Sequence, residues 1–224
     1  MQYFKIFTDV ADGGVIKPDR NEVLRYMQSR NIEDVRILSE VDSCILQSVE
    51  KITPKAAYMF LPVTVKDTQV DFGLIKTNSA GLARILRDSK ECVLFLATIG
   101  TETDRLIAKY SKIQPHKALI YQAIGAELIE KYCDYLEKSI ASNFKIGLKM
   151  RYSPGYSDFD ISVQKEIISV LKAEKYCGIT LTQNYLMQPS KSVTAICPIT
   201  DTKCEKSENK CSDCENFDCI YRNE

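Results

Sequence analysis

The chain of 224 residues has no excess charge of either sign, since 30 lysines and arginines balance 30 aspartates and glutamates. That balance removes the general electrostatic drive toward nucleic acid or an acidic membrane surface. No apolar run approaches the roughly 18 to 20 residues that a bilayer crossing needs, so no membrane partner is expected. The amino terminus, Met1-Gln2-Tyr3-Phe4-Lys5-Ile6-Phe7-Thr8-Asp9, lacks the basic start, uninterrupted apolar segment and small-residue cleavage site of an export signal. A cytoplasmic location is the corresponding expectation. There is no glycine-rich phosphate loop and no internal repeat. Histidine occurs once, at His116 behind Pro115, where it reads as a helix-start or surface residue rather than a ligand. What is present, 45% hydrophobic and 27% charged residues, is the composition of a globular chain that can build one substantial core.

Periodicity predicts helices over residues 21–30, 33–51 and, after the Asn78-Ser79 cap, 82–87. Extended segments are predicted at 57–65 and 70–76, with Lys66-Asp67-Thr68 as a hairpin loop between them. The continuous apolar run Glu91-Cys92-Val93-Leu94-Phe95-Leu96-Ala97-Thr98 reads as a central strand. Gly100 ends it, Thr101 and Thr103 are placed to cap the next helix, and Pro115 separates that helix from the longest periodic segment, His116 to about Phe144. The stripe of that segment runs through Leu119, Ile120, Ala123, Ile124, Leu128, Tyr132, Tyr135, Leu136 and Ile140. Its opposite face, Glu127, Glu130, Lys131 and Asp134, reads as solvated charge. A strand at 147–152, a turn at Ser153-Pro154-Gly155-Tyr156, a helix at 161–175 and strands at 179–182 and 192–199 follow. The irregular alternation and the hairpin point to an α+β fold with a mostly antiparallel sheet.

Nine cysteines in a chain without an export signal argue for core packing, metal ligation or redox work rather than disulfides. Cys44, Cys92, Cys133 and Cys177 lie among apolar neighbours and read as core residues. Cys197, Cys204, Cys211, Cys214 and Cys219 crowd the last 28 residues. The last four make a Cys-x6-Cys-x2-Cys-x4-Cys pattern, which can wrap zinc or an iron-sulfur cluster. The same spacing also fits reduced thiols, or a redox pair at Cys211 and Cys214. Residues 199–224 are too polar to form a core and are read as a cysteine-rich tail behind a domain spanning 1–198.

Proline followed by glycine in Arg151-Tyr152-Ser153-Pro154-Gly155-Tyr156 fits a type II turn, and the arginine before it can grip a carboxylate through two parallel hydrogen bonds. An ordinary surface loop fits the same pattern. Gln164-Lys165 follows on a helix, then Leu181-Thr182-Gln183-Asn184-Tyr185-Leu186-Met187-Gln188-Pro189 and Ser192-Val193. Together with the helix Ala126-Glu127-Leu128-Ile129-Glu130-Lys131-Tyr132-Cys133-Asp134-Tyr135-Leu136, these pieces resemble, in order and spacing, the activation (reactivation) domain of cobalamin-dependent methionine synthase. The resemblance covers about residues 90–197.

The resemblance implies a C-shaped α+β domain with flanking helices that binds S-adenosylmethionine and offers its methyl group to a cobalamin held by a partner. It implies reductive methylation of cob(II)alamin, with one electron from a flavodoxin- or ferredoxin-type donor. Arg151 would take the cofactor's carboxylate, Ser153, Gly155 and Tyr156 would line the site, and Glu130 would face the cofactor. The chain departs from the family at Phe159-Asp160-Ile161-Ser162, where the family has Cys-Pro-(Asp/Glu)-His, and it has no Asp-Trp-Thr-Pro segment. It also lacks the Asp-x-His-x-x-Gly signature of a cobalamin domain, which assigns the corrinoid to a partner, either a cobalamin-binding methionine synthase or another corrinoid protein. Two alternatives stand beside this reading: a non-enzymatic module that docks on a corrinoid protein, and a small metal or redox protein whose tail carries the function.

Overall fold

The computed structural model describes residues 2–200. The chain starts with strand β1 (Ile6–Val10), then helices α1 (Arg20–Tyr26) and α2 (Val35–Val49). Three short strands, β3 (Thr64–Lys66), β4 (Gln69–Asp71) and β5 (Lys76–Asn78), follow the long strand β2 (Lys55–Pro62). Helix α3 (Ala80–Leu86) leads to β6 (Glu91–Thr98), α4 (Glu102–Ile113) and the 30-residue α5 (Pro115–Phe144). Strand β7 (Gly147–Leu148), helices α6 (Gln164–Val170) and α7 (Ala173–Cys177), and strands β8 (Thr180–Leu181), β9 (Met187–Gln188) and β10 (Ser192–Thr200) complete it.

The main sheet has the order β1-β2-β6-β10-β7, and its ladders are antiparallel. The central position of β6 follows from its lack of a polar face. Val93, Phe95 and Ala97 point into one core with α1, α2 and α5, while Cys92, Leu94 and Leu96 point into a second core with α3, α6 and α7. Strand β2 divides the same way, with Ala56, Tyr58 and Phe60 on one side and Ala57, Met59 and Leu61 on the other. The result is the α+β, mostly antiparallel architecture that the sequence predicts. No helix among the described residues is long and apolar enough to cross a membrane.

Local chemistry sets the element ends. The side chains of Asp19, Asp34 and Ser79 accept backbone N–H groups at the starts of α1, α2 and α3. Pro115 begins α5, where its missing N–H costs nothing, and Lys145 closes that helix in the left-handed region. The predicted cap at Thr101 differs: its side chain makes no capping bond, and the Thr103 hydroxyl is buried without a partner.

Other departures have identifiable causes. The predicted strand at 70–76 is two strands, because Gly73 at φ +80° reverses the chain while Asp71 accepts its N–H at 2.7 Å. The predicted helix at 161–175 breaks at Lys172, which is left-handed, into α6 and α7. The predicted strand at 147–152 pairs in a ladder only at Gly147–Leu148, with Tyr152 bridging Ile196 on its own. Strand β1 has no counterpart in the sequence reading. Along α5, Leu119 and Tyr135 are exposed despite their place in the predicted stripe. The predicted solvated face is also interrupted: Glu127 is buried, accepts the Asp19 N–H at 3.2 Å and lies 3.6 Å from Lys131. Burial holds its carboxyl above the ordinary glutamate range.

Candidate functional site

Arg151 occupies the extended segment that leaves β7. Its position is fixed on both sides, because the Lys149 N–H donates to Pro198 and Tyr152 exchanges two 2.9 Å backbone bonds with Ile196 on β10. The side chain is thereby aimed across the edge of the sheet onto α5. There Glu130, Asp134 and Glu137, spaced i, i+4 and i+7, share one helix face.

Arg151 Nη1 donates to Asp134 Oδ1 and to Glu137 Oε1, each at 2.8 Å, and Nη2 donates to Glu130 Oε2. Only 11% of the Arg151 side chain is exposed and 3% of Glu137, against 32% for Glu130 and 33% for Asp134. Burial alone would lower the guanidinium's pKa, but the charges of Glu130, Glu137 and Asp134 outweigh it and raise the pKa well above the usual arginine value. Arg151 is therefore a permanent cation in a partly dry cage. The Cys197 thiol reaches Glu137 Oε1 at 3.8 Å from the sheet side, and the Cys133 thiol is fully buried, which pushes it up and keeps it protonated.

The turn begins two residues beyond Arg151. Tyr156 N–H donates to Ser153 at 3.1 Å and Gly155 adopts φ +91°, the geometry that a type II turn demands of its third position. Gly155 N–H also donates to Phe159 at 2.7 Å, closing the loop on itself. Asp158 then ties the loop to α3: its carboxylate accepts Ser79 Oγ at 2.6 Å and the N–H groups of Ala80 and Gly81. The Ser79 bond, followed by the Ala80 N–H bond, holds the Asp158 carboxyl below its ordinary range. Gly81 is required here, because a Cβ would lie 2.5 Å from the Tyr152 hydroxyl. Tyr156 itself is exposed and packs edge-on against Tyr152, with ring centroids 5.6 Å apart.

The predicted site residues are thus placed unequally. Glu130 and Arg151 are in direct contact, and Ser153, Gly155 and Tyr156 form the turn beside them. Asp134, expected as solvated charge, instead pairs with Arg151, as does Glu137, which the sequence reading does not single out; their spacing from Glu130 on one helix face is the available signal. Tyr26, on α1, also belongs to this neighbourhood, its phenol pushed up to about 12 by burial and by the Glu130 charge. The Ser192 hydroxyl serves the sheet, donating to the Pro189 carbonyl at 2.7 Å and pairing with the Thr98 hydroxyl at 2.9 Å.

The cysteine expectations also divide. Cys44, Cys92, Cys133 and Cys177 are buried free thiols, as expected of core residues. Cys197, expected with the metal-ligating group, is fully buried on β10 opposite Val93 with its thiol toward Glu137. No group of three or more potential ligands that could hold a metal occurs among the described residues. Cys204, Cys211, Cys214 and Cys219 lie outside the described residues.

Residues 86–204 match the family model described as the vitamin B12 dependent methionine synthase, activation domain, just over half of the chain. A search of curated proteins returns no match. Among solved structures, the fold is similar to that of the MetH reactivation domain bound to AdoHcy, with a TM-score of 0.67 and 13% sequence identity. That match covers 88% of this chain and 78% of the solved one.

Proposed function

Because the chain belongs to the family of vitamin B12 dependent methionine synthase activation domains, we propose that it binds S-adenosylmethionine at the Arg151–Glu130 face and presents it to a cobalamin held by a partner protein. The observation that carries this reading is the cage itself. It joins a permanent guanidinium to carboxylates at positions where the family resemblance calls for an arginine and a glutamate.

The donor set fits a zwitterionic cofactor. A guanidinium has five N–H donors, and Glu130, Asp134 and Glu137 take three of them. The remaining donors can receive the cofactor's carboxylate, while the half-buried carboxylates of Glu130 and Asp134 suit its ammonium group. The turn at 153–156, pinned by Asp158 to α3, supplies a rigid wall bearing Tyr156. When bound, S-adenosylmethionine supplies a methyl group to cobalt that a flavodoxin- or ferredoxin-type donor has reduced by one electron. This chain's contribution is to bind, orient and present.

The four tail cysteines form the second part of the proposal. The fold withdraws Cys44, Cys92, Cys133, Cys177 and Cys197 into its cores, which leaves Cys204, Cys211, Cys214 and Cys219 as a set of four, the number for a tetrathiolate zinc or iron-sulfur centre. Metal and acid-labile sulfide analysis of anaerobically purified protein tests it. Metal-free protein with four titratable thiols removes it.

Calorimetric titration of the full chain with S-adenosylmethionine, alongside Arg151→Ala, tests the main reading. Binding by the parent and not by the variant is expected, followed by support of cobalamin methylation when a corrinoid protein is added. A parent that binds nothing but still docks on a corrinoid protein would instead make it a non-enzymatic docking module. Removal of residues 201–224 should leave cofactor binding in place; loss of every activity would transfer the function to the tail.

A further inference from the structure

Gly125 sits inside α5, where a glycine costs helix stability relative to alanine, and two side chains use the space it leaves. A Cβ there would lie 2.6 Å from Thr103 Cγ2 and 2.8 Å from Lys191 Cε, so the end of the Lys191 side chain meets the first turn of α4 beside Thr103. Both residues are withdrawn from solvent, Lys191 to 8% exposure and Thr103 to 1%. Among the described residues neither polar end is satisfied: the Thr103 hydroxyl is buried without a hydrogen-bond partner, and the Lys191 ammonium has no hydrogen bond or ion pair. Burial lowers the ammonium's pKa, and the charge of Asp104 offsets this only in part. The two carboxylates of the turn have partners of their own. Asp104 accepts the Ser190 N–H at 2.8 Å and the Ser190 hydroxyl, and Glu102 pairs with Arg105.

Helix α4 brings further donors to the same place. It runs for 12 residues, and Thr101 gives its start no side-chain cap. Its first backbone bond is made by the Arg105 N–H, to Thr101 at 3.1 Å, so the N–H groups of Glu102, Thr103 and Asp104 precede the helical ladder. A cavity of about 470 Å³ opens beside this turn, lined by Thr101, Asp104 and Arg105 and, across from them, by Gln188 and Pro189. A buried ammonium is costly unless an opposite charge faces it, and a buried hydroxyl unless it is hydrogen-bonded. One oxyanion between them removes both costs, with the positive end of the α4 dipole behind it. We propose that Lys191, Thr103 and the first turn of α4 form a binding site for a phosphate group. Lys191 supplies the charge, and the Thr103 hydroxyl and the backbone N–H groups supply neutral donors. Donors that arrive from a strand end, a side chain and a helix end suit a tetrahedral oxyanion. Glu102 and Asp104 hold the affinity down. The site lies about one and a half turns of α5 before Glu130, and it stands whatever the Arg151 face binds.

The test is titration of the isotope-labelled full chain with inorganic phosphate and, in a second arm, methyl phosphate, at constant ionic strength set with chloride. Amide NMR shifts of residues 100 to 104 should saturate, half-complete at about 1 mM. A response to inorganic phosphate alone supports a site for the free ion; a response to both supports one for a phosphate ester. Lys191→Met keeps the stem and removes the charge. It should weaken the response about tenfold or more while melting no lower than the parent in chloride, because a buried ammonium is removed. Thr103→Val, which keeps the shape and removes the hydroxyl, should weaken it severalfold. Shifts that do not saturate with either probe, or that are equal in Lys191→Met and the parent, would overturn the site. Should Lys191→Met fail to give a cooperative melt, Thr103→Val carries the same comparison.

Discussion

Arg151 and Glu137 form a salt bridge of 2.8 Å in which the carboxylate is almost completely withdrawn from solvent. They are 14 residues apart and on different elements, so the pair joins α5 to the segment that leads into the turn. Removing one member of a buried pair costs about 3 to 5 kcal/mol. Because Glu130 and Asp134 remain to face the guanidinium, Glu137→Ala should lie at the lower end, a loss of about 3 kcal/mol in urea unfolding. Glu137→Gln, which keeps an acceptor for Nη1, should cost about 1 kcal/mol. If both variants unfold with the parent's midpoint, the bridge does not hold α5 to the site.

Arginine is needed at position 151 for its shape as much as for its charge. One guanidinium reaches three carboxylates along two edges, whereas a lysine ammonium is a single point donor. Arg151→Lys should therefore leave the fold largely intact while weakening S-adenosylmethionine by tenfold or more, an effect of about 1.4 kcal/mol or above. The decisive comparison is the melting temperature beside the calorimetric affinity of the same sample. A lysine variant that binds like the parent would show that charge alone suffices.

Legibility in the sequence follows the range of the forces involved. Strand β6 is evident because each residue from Cys92 to Ala97 is apolar and buried, whichever core it faces. The turn at 153–156 is evident because proline and glycine dictate its geometry locally. Strand β1 is hidden, since Thr8 and Asp9 interrupt an edge strand whose partner, β2, lies about 50 residues later. The break at Gly73 is hidden because the alternation of Val70, Phe72 and Leu74 runs straight through it, whereas in the fold Leu74 is exposed and Ile75 is buried in its place. The acidic face of α5 misleads for a related reason: Glu127 is covered by the α1 region and Glu137 by Arg151, and neither contact is visible in helical periodicity. In the site, the resemblance identifies Arg151 and Glu130, but the cage needs Asp134 and Glu137, which only the crossing of two elements brings to the guanidinium.

Glu127 gives stability a specific pH dependence. Burial raises its carboxyl pKa in the folded protein above the ordinary value of 4.5, outweighing the Asp19 N–H bond and the Lys131 charge. Between 4.5 and the raised value, the folded state holds a proton that the unfolded state has released, so this residue's contribution to stability falls as pH rises through that window. Glu127→Gln removes the titration and keeps an acceptor for the Asp19 N–H. Its urea midpoint relative to the parent should climb as pH increases above 4.5 and then level off. A difference that is flat with pH, or that falls, would show that Lys131 compensates the buried charge fully.

Gly125 lies where α5 packs tightly against Thr103 of α4. A Cβ at this position would lie 2.6 Å from Thr103 Cγ2 and 2.8 Å from Lys191 Cε. The lysine stem can swing aside; the β-branched threonine, locked in the first turn of α4, cannot. Gly125→Ala should gain about 1 kcal/mol of helix propensity and lose about 2 to 3 kcal/mol to overpacking, for a net destabilisation of about 1 to 2 kcal/mol. Thr103→Ala removes the obstructing methyl, and its hydroxyl has no hydrogen-bond partner to lose. In that background Gly125→Ala should become neutral or stabilising, a coupling of at least about 1 kcal/mol in a double-mutant cycle read by urea unfolding. Additive effects would mean that the helices separate to admit the methyl group, and the close approach of α4 to α5 would then be a consequence of the glycine rather than a requirement of the fold.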